Sequence, residues 1–182
     1  MATAPEVTRQ DLGSLAEFSI GDGRSVEELC GTISRVFGVR KHEVALLFVD
    51  RRMLRFMYPL ELKAAGAIPL TSSAVAARTV NTKRPELFNN FVSVQHSSIF
   101  ETVKLANPDH QSDPLTIQKM MSVPVIAQNG TVLGVLQVCK KGFDLRSAGL
   151  DFTPADLNLL TDAATVVARL LPHLIEIENK LQ

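Results

Sequence analysis

The sequence predicts an α+β fold: antiparallel strands in a sheet, with helices before, between and after them. Three observations predict it. Residues 122–139, SVPVIAQNGTVLGVLQVC, read as two apolar strands around one Asn129-Gly130 turn. Residues 25–38, SVEELCGTISRVFG, place apolar side chains at helical spacing on one face. From Thr153 onward the same spacing runs nearly to the C-terminus.

Taken in order, residues 1–24 form an extension in which DLGSLAEF suits a short helix, and IGDGRS marks a loop. Ser25 with Glu28 three residues on has the form of a capping box. Val26, Leu29, Cys30, Ile33, Val36 and Phe37 make the buried stripe of a helix over 26–37, and Gly38 suits the position past its last turn. EVALLFVD (43–50) and RMLRFMY (52–58) read as an antiparallel hairpin around Asp50-Arg51-Arg52. Six successive apolar residues, Val44 to Val49, predict a central strand covered on both faces. In IPLTSSAVAARTVNTKRP (68–85), Ser72 or Ser73 is expected to cap a helix reaching about Val80, closed before Pro85. Residues 86–121 are the least regular, with a strand near Glu86–Asn89, a helix over Ser97–Leu105 and a polar loop over 106–114.

For the Asn129-Gly130 hairpin a two-residue type I′ turn is expected, since both residues tolerate positive φ. That turn sets Gln128 opposite Thr131 and Val125 opposite Gly134. It puts Val123, Val125 and Ala127 on a face with Val132, Leu136 and Val138, and Ile126 on the other with Leu133, Val135 and Cys139. Gly134 in mid-strand predicts close approach of another backbone or a bulky neighbour. Thr153, Pro154 and Asp156 open the last helix. Its apolar residues form two series: Leu157, Leu160, Ala164, Val167, Leu171, Leu174 and Leu181, and beside them Leu159, Ala163, Val166, Leu170 and Ile177. One sheet face needs one stripe, so the surplus predicts that this helix also meets another helix, a second chain being one source of it. Pro172 is expected to kink or break the helix.

Composition narrows the functional classes. The chain has 182 residues, 46% of them hydrophobic, with 19 basic and 19 acidic residues. A net charge of zero argues against nucleic acid or an anionic membrane as partner. No apolar run reaches the ~20 residues of a membrane span, and the first residues lack the pattern of a secretory signal. Cys30 and Cys139 are far apart and set in apolar stretches, which suits a reducing cytoplasm.

The stretches SVPVIAQNGTVLGVLQVCKKG (122–142) and DFTPADLNLLTDAATVVARLL (151–171) resemble the C-terminal half of a GAF domain. There an S-x-P strand, a turn with Gly, a G-V-L strand and a helix opened by F-T-x-x-D recur in this order. SAVAARTVNTKRP resembles the middle helix of that family and its exit. The resemblance covers about 25–172, leaving 173–182 as the end of the last helix. It implies a PAS-related antiparallel sheet of about six strands. The terminal helices would cover one face, and middle helices and loops would form a pocket on the other. It also implies a non-enzymatic cytoplasmic sensor, commonly a homodimer, whose ligand it does not name and whose signal a separate output protein would read.

Departures from the family matter. Of the N-K-x(n)-F-x3-D-E pattern found in cyclic-nucleotide-binding members, Lys140, Phe152 and Asp156 match, while Cys139 and Leu157 replace the Asn and the Glu. That puts a cyclic nucleotide in doubt and leaves a Lys140–Asp156 pairing as a structural tie. Neither cysteine precedes a histidine, as is often so in bilin-binding relatives, and the cysteines are not clustered as in the GAF-fold enzymes that reduce free methionine sulfoxide.

The candidate ligand-binding residues are Phe88, Asn89, Asn90, Phe91, His96 and Met121. Asn both donates and accepts, and phenyl rings line apolar clefts. Against each stands a plainer role: turn chemistry for the asparagines, core packing for Phe and Met, a loop position for His96. No catalytic constellation and no metal site is expected. The DHQSD stretch (109–113) matches no calcium-loop spacing. Two other readings are a dimerisation scaffold that binds no ligand and a thiol redox sensor using Cys139.

Overall fold

The computed structural model describes residues 25–93 and 115–180. In chain order the elements are α1 (Val26–Val36), β1 (Val44–Asp50), β2 (Met53–Tyr58), β3 (Ala67–Pro69), α2 (Val75–Thr82), β4 (Glu86–Phe88), β5 (Thr116–Ile126), β6 (Val132–Gly142) and α3 (Pro154–Lys180). Short 3₁₀ helices at Lys41–Glu43, Leu60–Ala65 and Phe91–Ser93 join them. The six strands form one antiparallel sheet in the order β3-β2-β1-β6-β5-β4. β1, apolar from Val44 to Val49, lies in its interior, between β2 and β6, as that run predicts.

The sheet separates two apolar layers. On one face α1 and α3 pack on Val44, Leu46, Met57, Met121, Val123, Val125, Leu136 and Val138. On the other, α2, Leu62 and Phe91 pack on Ala45, Leu47, Leu54, Phe56, Ile117, Met120, Val135 and Cys139. The capping expected at both terminal helices is present: Ser25 Oγ accepts from Glu28 N at 3.4 Å, and Thr153 Oγ1 accepts from Asp156 N at 3.1 Å. Ser72 and Ser73 do not cap α2. Its N-cap is Ala74, and Ser72 Oγ accepts from Ala74 N instead. Pro172 does not break α3, which runs through it. The expected helix over 97–105 lies outside the described residues.

The β5–β6 turn departs from type I′ because only Gly130 adopts positive φ, at 82°. Asn129 stays at negative φ, and its Oδ1 accepts from Thr131 N at 3.0 Å. Ala127 N donates to Thr131 O, so the loop is three residues long. An irregularity between Val125 and Ile126 then absorbs one extra residue of β6. From Val125 inward the expected register holds, with Val125 opposite Gly134 and Val123 opposite Leu136. Beyond the bulge the faces exchange: Val132 packs in the α2 layer and Leu133 in the α3 layer, the reverse of the expectation. Gly134 lies where a Cβ would come within 2.1 Å of Leu47 O and 3.2 Å of Leu171 Cδ2, so the close approach is real.

Candidate functional site

The α2 face of the sheet carries a buried hydrogen-bond chain. Gln137 Nε2 donates to Ser122 Oγ at 3.1 Å, Ser122 Oγ lies 2.7 Å from Thr79 Oγ1, and Thr79 donates to Val75 O. The cross-strand pair Ser122–Gln137 thereby fixes α2 over the sheet. Toward the β4 edge, the rings of Phe88 and Phe91 meet edge to face at 5.9 Å. The Arg78 guanidinium stands 5.5 Å from the Phe88 centroid and pairs with Glu86 at 2.9 Å.

Beside this edge is a cavity of about 510 Å³, lined by Asn90, Val92, Thr116, Gln118, Phe143, Asp144, Leu145 and Arg146. Its volume lies in the range of small-molecule sites. A second, broader cleft of about 1590 Å³ runs between the end of α1, the end of β6 and the start of α3. Ion pairs and hydrogen bonds among its own lining residues hold its walls. Glu43 accepts from Arg40 N at 2.8 Å, from Arg40 Nη2 at 2.7 Å and from Lys141 N at 2.7 Å. Burial raises the Glu43 pKa, but these three donors outweigh it and hold the carboxyl below its ordinary 4.5. The smaller cavity is therefore the better candidate: it suits a small molecule in size, and in its wall Gln118 Oε1 and the Arg146 guanidinium have no partner among the described residues.

In the wall of the broader cleft is a fastening that joins the sheet to α3. Asn89 donates through Nδ2 to Phe152 O and accepts through Oδ1 from Phe152 N, both at 2.9 Å. Lys140 donates to Leu150 O at 2.7 Å, and its ammonium lies 4.4 Å from the Phe152 ring centroid. Burial lowers the Lys140 pKa. Lys119, opposite Lys140 in the sheet and with its side chain only 4% exposed, donates to Gly149 O and pairs with Asp151 at 2.7 Å. Side chains from β5 and β6, with Asn89 just beyond β4, hold the segment leading into α3. The expected Lys140–Asp156 tie is not the one made, because Asp156 is taken by Thr153, accepting from its N and Oγ1 at 2.7 and 2.9 Å.

The candidate residues divide accordingly. Phe88 and Phe91 pack together on the α2 face, and Asn90 lines the smaller cavity. Asn89 spends both side-chain amide groups on Phe152. Met121 is fully buried on the opposite face, against α1 and α3, because alternation along β5 puts Met120 in the α2 layer. His96 lies outside the described residues. Gln118 and Arg146 were not anticipated. A Gln-Lys pair inside the apolar strand TIQKMMSV was the available signal for Gln118. Arg146 reads from sequence as part of a solvated connection. Cys30 and Cys139 are both fully buried, on opposite faces of the sheet. Burial pushes the Cys30 thiol pKa far up and denies Cys139 the exposure a sensing thiol needs. Among the described residues no group of three metal-ligating side chains occurs, and no helix is long and apolar enough to cross a membrane.

A comparison with curated proteins finds no match. Among solved structures, the GAF domain of an Acinetobacter phosphoenolpyruvate-protein phosphotransferase is similar, with a TM-score of 0.64 at 14% identity, covering 94% of this chain and 99% of that one. Free methionine-R-sulfoxide reductase from Neisseria meningitidis, in complex with its substrate, gives 0.65 at 13% identity, covering 97% and 96%. The type II enzyme of the same name from Thermoplasma acidophilum gives 0.53 at 15%, covering 81% and 90%. These reductases correct one expectation: with enzymes among its neighbours, the fold does not mark a chain as non-enzymatic. The GAF domain family model matches residues 23–171, across both faces of the sheet and both terminal helices. The chain belongs to the GAF domain family, whose fold serves generally in ligand binding and signalling.

Proposed function

We propose that this chain is a cytoplasmic sensor of a small molecule. The molecule occupies the cavity beside Asn90 at the rim of the α2 face, and two chains join through their terminal helices. Occupancy passes to α3 and from there to a separate output protein. The observation that carries the reading is the position of Asn89. Its neighbour Phe88 packs in the α2 layer, its neighbour Asn90 lines the cavity, and its own amide clasps Phe152, which directly precedes the α3 cap residue Thr153. A shift at the cavity wall is thereby felt at the start of a 27-residue helix.

Native mass spectrometry of the purified protein, followed by the same sample denatured, tests the reading. The expected result is extra mass that is lost on denaturation, and lost also from an Asn90→Ala, Phe143→Ala variant of unchanged fold. A protein that carries no extra mass, and whose melting temperature no metabolite pool raises, would overturn it in favour of a scaffold.

A further inference from the structure

We infer that the cavity beside Asn90 takes a small apolar acid that also carries an N–H or O–H donor. The inference rests on the ligand-sensing reading above and deepens it. The first ground is Gln118, which is 4% exposed and is the extra residue of a bulge: Ile117 faces Lys141 and Lys119 faces Lys140. Bulges re-aim a side chain and recur beside functional sites. Gln118 Nε2 donates to Thr116 Oγ1 at 2.8 Å and to Gly142 O at 3.1 Å. A backbone carbonyl only accepts, so the amide cannot be turned over, and the atom left over is Oε1. No donor among the described residues reaches it. A buried acceptor in a cavity wall calls for a donor from what fills the cavity.

The other walls set the rest of the chemistry. Arg146 makes no ion pair among the described residues. The second charge of the lining, Asp144, is turned to its own loop, accepting from Ser147 N at 2.7 Å. Arg146 is thus the charge left to meet a ligand, and a carboxylate matches its planar fork. Val92, Phe143 and Leu145 are 65%, 69% and 38% exposed, apolar surface that a ligand's hydrocarbon body would cover. Donor, anion and apolar body are three requirements met together by a branched hydroxy or amino acid.

The test is calorimetric titration of the full chain with 2-hydroxy-4-methylpentanoate, with 4-methylpentanoate, which lacks the donor, and with 2-hydroxy-4-methylpentanamide, which keeps the hydroxyl and lacks the charge. The hydroxy acid is expected to bind about tenfold more tightly than either, the usual weight of one hydrogen bond to a buried or charged group. Arg146→Gln and Phe143→Ser, both at exposed positions, should each weaken it by about tenfold with the melting temperature held. Gln118→Met should erase the preference for the hydroxy acid over the plain acid, and if that variant does not fold, the three probes on the unmodified chain still decide. Equal binding of the hydroxy acid and the plain acid would overturn the inference and assign Gln118 Oε1 to a buried water. If no probe binds while native mass spectrometry finds a bound molecule of other chemistry, the inference fails and the sensing reading stands. If neither finds a ligand, both fail.

Discussion

Glu43 shows how much one side chain can secure. Its carboxylate, 5% exposed, accepts from the backbone N–H groups of Arg40 and Lys141 and from the Arg40 guanidinium. It ties the entry to β1 to the end of β6. Hydrogen bonds to a charged group contribute about 1.5–3 kcal/mol each, less the desolvation of the carboxylate. Glu43→Gln keeps the shape but turns an amide N–H toward at least one of these donors. It should lower the unfolding free energy at pH 7 by about 2 kcal/mol in denaturant titrations. The sign with pH follows from the lowered pKa. The folded state binds its proton less readily than the unfolded state, so the contribution is whole above 4.5 and is lost as pH falls through the folded value. The gap between Glu43→Gln and the unmodified protein should therefore narrow below pH 4.5, and a gap constant with pH would contradict this account.

At the scale of elements, what stands out is the seating of α3. A helix N-terminus needs partners for its first N–H groups, and the Thr153–Asp156 box supplies them locally. The segment before it is held from the sheet instead, by Asn89, Lys119 and Lys140. Asn89→Ala removes both bonds to Phe152 and leaves its backbone unpaired at a partly buried site. Amide hydrogen exchange should then rise across 149–157 while β1 and β6 stay protected, with a stability loss of about 1–3 kcal/mol. Uniform acceleration over the whole chain would show that Asn89 serves global stability and not the seating of α3. Lys119 and Lys140 lie side by side, an unfavourable pairing in a sheet, yet each reaches a carbonyl of the same loop. Those carbonyl contacts offset the repulsion.

For the whole molecule the open question is what meets the outer side of α3. Much of its surplus apolar surface is used inside the chain: Ala163 and Leu170 are buried with the α1 layer. Leu159 and Val166 are half-buried, and Ile177 is 41% exposed, a strip at helical spacing on one edge. In the proposed dimer this strip meets its copy. Light scattering after gel filtration should give twice the 19.9 kDa mass, and Val166→Asp with Ile177→Asp should give a folded monomer. A monomer for the unmodified protein would remove the dimer from the proposal.

Most of the order of elements follows from the sequence by itself because those signals are local; the short β3 and the first residues of β5, from Thr116, are not legible in it. Capping residues, an apolar run long enough for a central strand and a long amphipathic helix depend on neighbours a few residues away. Resemblance added the face that each helix covers. Tertiary structure decided what depends on distant partners. Met121 reads like Met120, but alternation along β5 sends them to opposite faces, and the packing of the helices on the sheet decides which of them meets α2. Asn89 and Asn90 are adjacent and alike, yet one closes a bond with a residue 63 positions away and the other is left at a cavity. Gln118 falls in the stretch that reads as irregular, and only its bulge and the carbonyl of Gly142 leave its oxygen as an acceptor unmet among the described residues. Local chemistry sets which elements form, whereas burial and pairing across the chain set which of their side chains are free to act.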